Sequence, residues 1–291
     1  MQLTVKESKD AAGLVKIEKE NWLNSFFNLF SLEINHWWSS YYWIIQIIAW
    51  SVFINGLYVL ILLSGQDPSM GGDLVTVFSD ELAKLTPDVT KHSILITGIQ
   101  LFYSMANLVL SLGIIILMQN SVISEKELGT MSWMLSNPVS RKKVILSKFL
   151  GNVIHLLLFA LVIPAAVFYA LIALTTGVFL PLLPFMIGCS FLAVTLVYYT
   201  SLLLFLGVVF NSRGPVMMIS LFIAFSSALA NFLPAVVPLL INLTPMTMGS
   251  AGFISLFTEN LVPLLIPAGG VFLTSLIFLA VAFFEFERKE F

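Results

Sequence analysis

The side chains of this chain that can do chemistry are few, and one compact set of them stands between apolar runs. Ile123 to Lys148 reads ISEKELGTMSWMLSNPVSRKKVILSK and carries Glu125, Lys126, Glu127, Arg141, Lys142, Lys143 and Lys148 between two long apolar runs. No catalytic set accompanies it. His36, His92, His155 and the single Cys189 are scattered without metal-ligand spacing, and no Ser/His/Asp arrangement is suggested by position. No G-x-x-x-x-G-K-[ST] occurs, so the chain binds no ATP through a P-loop. The work left for the charged stretch is docking, onto a protein or onto lipid.

Its local grammar fits that work. Gly129-Thr130 offers a turn and then a helix N-cap, because a Thr hydroxyl accepts one of the free N–H groups of a first turn. Pro138 lacks an N–H and turns Asn137 toward an extended conformation, so a helix started at Thr130 ends there. Leu128, Met131 and Leu135 share one face of it, with Met134 beside them. Ser140 can cap a second helix that begins Arg141-Lys142-Lys143 and runs into the next apolar stretch.

A second set of candidates is polar and uncharged: Tyr103, Ser104 and Asn107; Tyr198, Tyr199, Thr200 and Ser201; Ser226, Ser227 and Asn231. Inside apolar spans such side chains either line a permeation path or bond one helix to the next. Tyr103, Asn107, Tyr198, Tyr199, Ser227 and Asn231 are the expected path residues. Ser220, Ala224 and Ala228 form a small-residue stripe that permits close helix approach. From Lys148 to Glu285 the only charges between are Arg213 and Glu259, both expected in loops. A charge at a span centre costs about 2.5–3.5 kcal/mol on insertion scales and marks ion or proton paths; the absence of one argues against a proton-coupled pump. His155, near the start of a span, reads as a packed and hydrogen-bonded side chain.

The elements that must position these residues follow from composition. Of 291 residues, 58% are hydrophobic and 10% charged, against roughly a quarter charged in a soluble domain. The mean hydropathy is +0.97. This describes an all-α polytopic membrane protein. The charged first twenty residues contain no apolar h-region, so no cleavable signal is expected. Residues 1–40 read as a solvated tail and an aromatic amphipathic helix at the membrane interface. Residues 41–291 read as a transmembrane domain with six spans, at 42–63, 93–118, 150–174, 182–210, 216–238 and 264–284, each near the ~20 residues that a bilayer core requires. Between the fifth and sixth spans, Pro245, Gly249, Gly252 and Pro263 interrupt an apolar run, as in short re-entrant helices. Of the 14 Lys and Arg residues, only Lys84 and Lys91 fall on one side of this layout. The positive-inside rule then places both termini and the 123–148 loop in the cytoplasm.

The motifs Glu125-Lys126-Glu127-Leu128-Gly129-Thr130, Leu135-Ser136-Asn137-Pro138-Val139-Ser140-Arg141 and Ser147-Lys148 resemble the cytoplasmic loop of exporter-type ABC transporter permeases of the type-2 class. That loop follows the second span and looks like E-x-E-x-G-T, then L-L-S-x-P-V-S-R and a G/S-K. Trp133-Met134 departs from it, aliphatic residues being commoner there. The resemblance implies that Thr130–Asn137 is a coupling helix seated in a separate nucleotide-binding subunit. Glu125, Glu127, Gly129, Thr130, Met131, Trp133, Met134, Leu135, Pro138 and Arg141 would contact that subunit or fix the loop. It implies two permeases, identical or homologous, in the cell membrane, with ATP and Mg on the partner subunit, no cofactor or catalysis on this chain, and no nucleic acid. The expected function is ATP-driven export of an amphipathic, lipid-like, peptide or drug cargo. The alternative is a membrane anchor for an ATPase that does mechanical work without moving a solute.

Overall fold

The computed structural model describes residues 22–38, 41–64, 77–88, 91–128, 140–226 and 237–288. All regular structure among them is helical. In chain order the helices are α1 (Trp22–Trp38), α2 (Tyr42–Ser64), α3 (Ser79–Leu85), α4 (His92–Met118), α5 (Ile123–Glu127) and α6 (Arg141–Leu156). A π segment (Leu157–Val162) joins α6 to α7 (Ile163–Thr176). Then come α8 (Leu182–Val209), α9 (Arg213–Ala224), α10 (Val237–Leu243), a 3-10 turn (Pro245–Thr247), α11 (Met248–Ile254) and α12 (Val262–Arg288).

Among the described residues, five helical stretches are long and apolar enough to cross a membrane: Tyr42–Ser64, His92–Glu127, Arg141–Thr176, Leu182–Val209 and Val262–Arg288. They cover the expected first, second, third, fourth and sixth spans. The third helix starts at Arg141, well before the apolar run at 150, because a helix once begun continues through any sequence that lacks a breaker. Where a fifth span was expected at 216–238, the described part is the 12-residue helix α9; residues 227–236, with Ser227, Ala228, Asn231 and Pro234, lie outside the described residues.

α8 is the hub. It packs on α4, α6, α9, α11 and α12, and it is apolar all round, which is what a helix surrounded by others requires. Its wide aromatic and aliphatic contacts include Phe205 stacked on Phe278 of α12 at 5.7 Å. α2 and α12 leave long apolar faces exposed, among them Ile45, Phe53, Leu60, Leu273 and Ile277, the surface that lipid covers in a membrane protein.

The π segment has a local cause. Pro164 has no N–H to give Ala160, and just upstream the Ile163 N–H reaches back to Leu158 O, one residue farther than in an α-helix. Asn55 of α2 then donates to Pro164 O at 3.2 Å. The broken run before α12 is real, and α11 is buried between α4 and α8. Gly252 makes this possible: a Cβ there would sit 2.6 Å from Tyr103 Cδ1 and 3.0 Å from Gly188 O. The loop after α2, polar in sequence, contributes α3, and Phe78 beside it stacks on Phe257 at 4.8 Å.

Candidate functional site

The charged stretch is tied into the ends of four other helices. Ser140 has extended backbone before α6, and the Lys143 N–H bonds its carbonyl at 2.9 Å, but its side chain makes no capping bond. From α6, Lys148 reaches Glu125 Oε1 of α5 at 2.6 Å and Glu33 Oε1 of α1 at 2.7 Å. Its side chain is only 3% exposed, so this is a desolvated triad held by mutual pairing. Lys126 turns the other way and donates to Gly207 O, Val208 O and Phe210 O at 2.7, 2.8 and 3.0 Å. These are carbonyls at the end of α8, where a cation meets both unpaired acceptors and the negative end of the helix dipole. Arg141 does the same for α12, donating to Glu287 O at 2.8 Å and Phe286 O at 3.3 Å, and Lys142 pairs with Glu287 at 3.2 Å. Glu127 meets Arg213 at the start of α9 at 3.5 Å. One end of the bundle therefore gathers α1, α5, α6, α8, α9 and α12.

Of the expected loop residues, Glu125, Glu127 and Arg141 are placed, and all three join helices of this chain. Gly129, Thr130, Met131, Trp133, Met134, Leu135 and Pro138 lie in 129–139, outside the described residues. Their two attachment points, α5 and α6, are the elements bolted down by the contacts above.

The polar uncharged candidates separate into two groups. Ser104, Asn107 and Tyr199 come together with Ser111, Pro245, Gly249 and Ser250 around a cavity of about 260 Å³ between α4, α8, α9 and α11. Asn107 holds its wall. It donates to Pro245 O at 3.2 Å and accepts from the Thr195 hydroxyl at 2.8 Å, tying α4 to a carbonyl that also accepts the Met248 N–H of the 3-10 turn. Tyr103 and Tyr198 stay in the core. Tyr103 donates to Phe185 O at 3.1 Å against the Gly188–Gly252 contact, and Tyr198 packs edge-on against Tyr199 and Phe278. Ser227 and Asn231 lie outside the described residues. Among the described residues, no charged side chain lines this cavity.

His155 is packed as read from sequence: buried, 2.8 Å from Gln46 Oε1, and stacked at 4.4 Å on Trp37, whose indole N–H donates to Asn152. Glu33 was the residue that sequence reasoning missed. It is the one charged side chain in the aromatic helix Trp22–Trp38, and a lone carboxylate in such a helix asks for a buried cation. α1 also packs along α6, so Glu33 approaches Gly151 closely enough that a Cβ there would stand 2.9 Å from Glu33 Cβ.

A family model described as ABC-2 family transporter protein matches residues 65–291 of the chain. Compared with curated proteins, the chain matches none. The matched region contains α3 through α12, and with them both the polar cavity and every charged contact above except Glu33.

Proposed function

Since the chain belongs to the ABC-2 transporter family and is a multi-pass membrane protein, we propose that it is the permease subunit of an ATP-driven exporter. A separate ATPase subunit, carrying ATP and Mg, docks on the loop 129–139. The observation that carries this reading is the way the loop's two attachment points are fixed: α5 to α6, α8 and α9 through Glu125, Lys126 and Glu127, and α6 to α1 and α12 through Lys148, Arg141 and Lys142. Force applied to the loop reaches α8, the hub of the bundle, through direct polar contacts, and rigid elements with such contacts transmit motion as bodies.

In this reading six spans cross the cell membrane with both termini cytoplasmic, the fifth beginning with α9, and α10 and α11 enter from the outer face. A second permease, identical or homologous, completes the pathway. The cavity around Asn107 supports an amphipathic cargo, because its lining offers hydroxyls and an amide beside apolar side chains and no charge. The chain itself carries no ATPase activity.

Co-expression with an ATPase subunit encoded beside this chain tests the reading. A stable membrane complex is the expected result, and Glu127→Lys or a Gly-Ser replacement of Met131–Leu135 is expected to abolish cargo-stimulated ATPase activity while insertion is retained. Purification of the chain free of any nucleotide-binding subunit, or unchanged ATPase coupling in both variants, would overturn it.

A further inference from the structure

The third span carries one residue too many for an unbroken α-helix. Below its π segment the chain is buried at 143–145, 147–148, 151–152 and 155–156, the rhythm of a helix with one inward face. Carried on at 3.6 residues per turn, that face would pass from Phe159 to Val162 and Ala166. Phe159 is buried, but Val162 and Ala166 are exposed. The inward residues above the segment are instead 164–165, 168, 172 and 176, about one to two positions late for a 3.6-residue period. Between the two rhythms stands Leu157–Val162, whose bonds reach five residues back, so that each turn holds one residue more than an α turn. Pro164, which lacks an N–H, fixes where the extra residue is taken up. Both halves of the span thereby keep their faces inward.

Three helices meet at this segment. Phe159 within it is ringed by aromatic partners: His155 at 4.7 Å, Trp38 at the end of α1 at 5.3 Å and Trp43 at the start of α2 at 6.3 Å. Below it, α6 is tied to α1 and α12 through Lys148 and Arg141, and to α2 through His155 and Gln46. Above it, α7 is tied to α2, where Asn55 donates to Pro164 O at 3.2 Å and the Tyr58 and Thr175 hydroxyls meet at 2.9 Å. Bending a helix at such a point frees backbone N–H and C=O groups, which is costly in a bilayer unless other groups catch them. α2 presents such groups. Asn55 Oδ1 and, one turn below it, Ser51 Oγ are buried and have no partner among the described residues. The first can accept a freed N–H, and the second can donate to a freed carbonyl.

We propose that Leu157–Val162 is a joint: α6 pivots about Phe159 while α7 stays with α2, and Ser51 and Asn55 catch the backbone groups that each movement frees. The joint follows from the helix geometry of this chain alone. Its consequence, that motion delivered to α6 at Arg141 turns the cytoplasmic half of the span without dragging the outer half, rests on the permease reading above.

Spin labels on Lys142→Cys and Leu174→Cys, in a Cys189→Ser background of the full chain in nanodiscs, read the joint by electron-electron distance measurement. Both sites are exposed, and the helix between them spans about 48 Å at the α rise. Their distance distribution is expected to be about twice as wide as that between Leu63→Cys and Leu174→Cys, both above the joint. Deleting Leu158, an exposed residue of the segment, is expected to leave a continuous α-helix. The distribution then narrows to that of the control pair, and the midpoint of unfolding in detergent is unchanged. The same deletion at Val194 in α8, where no π turn absorbs it, is expected to unfold the protein, since it turns one half of the hub by about 100° against the other. Ser51→Ala removes a hydroxyl that makes no bond in this structure. It is expected to narrow the distribution with the midpoint unchanged, which a purely structural residue would not do. A distribution as narrow as the control in the chain without these further changes, the same response to both deletions, or a width unmoved by either the Leu158 deletion or Ser51→Ala overturns the proposal. Failure of an ATPase complex to form bears on the permease reading alone and leaves these distances to decide the joint.

Discussion

At the scale of single residues, Lys148 carries the most consequence. Its side chain is nearly inaccessible and serves two carboxylates, Glu33 at 2.7 Å and Glu125 at 2.6 Å. Replacing it by Met would leave two like charges together and partly buried, a loss of about 3–5 kcal/mol in stability for a broken buried pair. Thermal unfolding in detergent measures it. The triple variant Lys148→Met, Glu33→Gln, Glu125→Gln is expected to recover most of that loss, because no uncompensated charge remains. Lys126 acts differently, as a cap. Lys126→Met keeps its apolar stem but strips the end of α8 of its cation, at a cost of about 1–2 kcal/mol. Hydrogen exchange is expected to quicken around Gly207 to Phe210 and to stay unchanged at the far end of α8. Glu33 was hard to see as part of this set because 115 residues separate it from Lys148.

At the scale of elements, the break between α10 and α11 is held by two devices that a sequence shows only in part. The Pro and Gly residues that interrupt the run are legible, since Pro removes a donor wherever it stands. That Asn107 of α4 bonds Pro245 O across the break is not legible, because which side chain faces a break depends on how helices are rotated against each other. Asn107→Leu is expected to cost about 1–3 kcal/mol through the unpaired Thr195 hydroxyl and the lost cross-helix bond to Pro245 O. Gly252→Val tests the close approach of α11 to Tyr103: overpacking costs about 1–3 kcal/mol, and Gly252→Ala is expected to cost less. Both are read as midpoints of unfolding in detergent, with transport lost along with stability if α11 frames the cargo path.

At the scale of the molecule, the positive side chains and the carboxylates that answer them collect at one end of the bundle, where Glu33, Lys126, Arg141, Lys148, Arg213 and Glu287 join its helices. Charge asymmetry of this kind sets orientation in the membrane. Cysteine labelling in sealed vesicles checks the sidedness that goes with the exporter reading: Glu287→Cys is expected to react from the cytoplasmic side only and Asp88→Cys from the opposite side only. The short helix α9, with Met218 and Phe222 strongly exposed, lies beside the cavity around Asn107.

Hydropathy, span length and the placement of Pro, Gly and charge are properties of contiguous residues, so the sequence alone determined the all-helical membrane class, the limits of most spans and the polar stretch at 123–148. Ser104 and Asn107 could be named there as polar residues inside spans, but their roles could not, and Thr195, which bonds Asn107, was not singled out. A helical period fixes where a side chain points about its own axis and leaves open which neighbour lies in that direction. Only the packed bundle separated Asn107 and Tyr199, which face a cavity, from Tyr103 and Tyr198, which face the core. The same packing turned charges of 123–148 from parts of a docking stretch into joints of the molecule, because α1, α8 and α12 bring a carboxylate and two helix ends to within hydrogen-bonding distance of residues far from them in the chain.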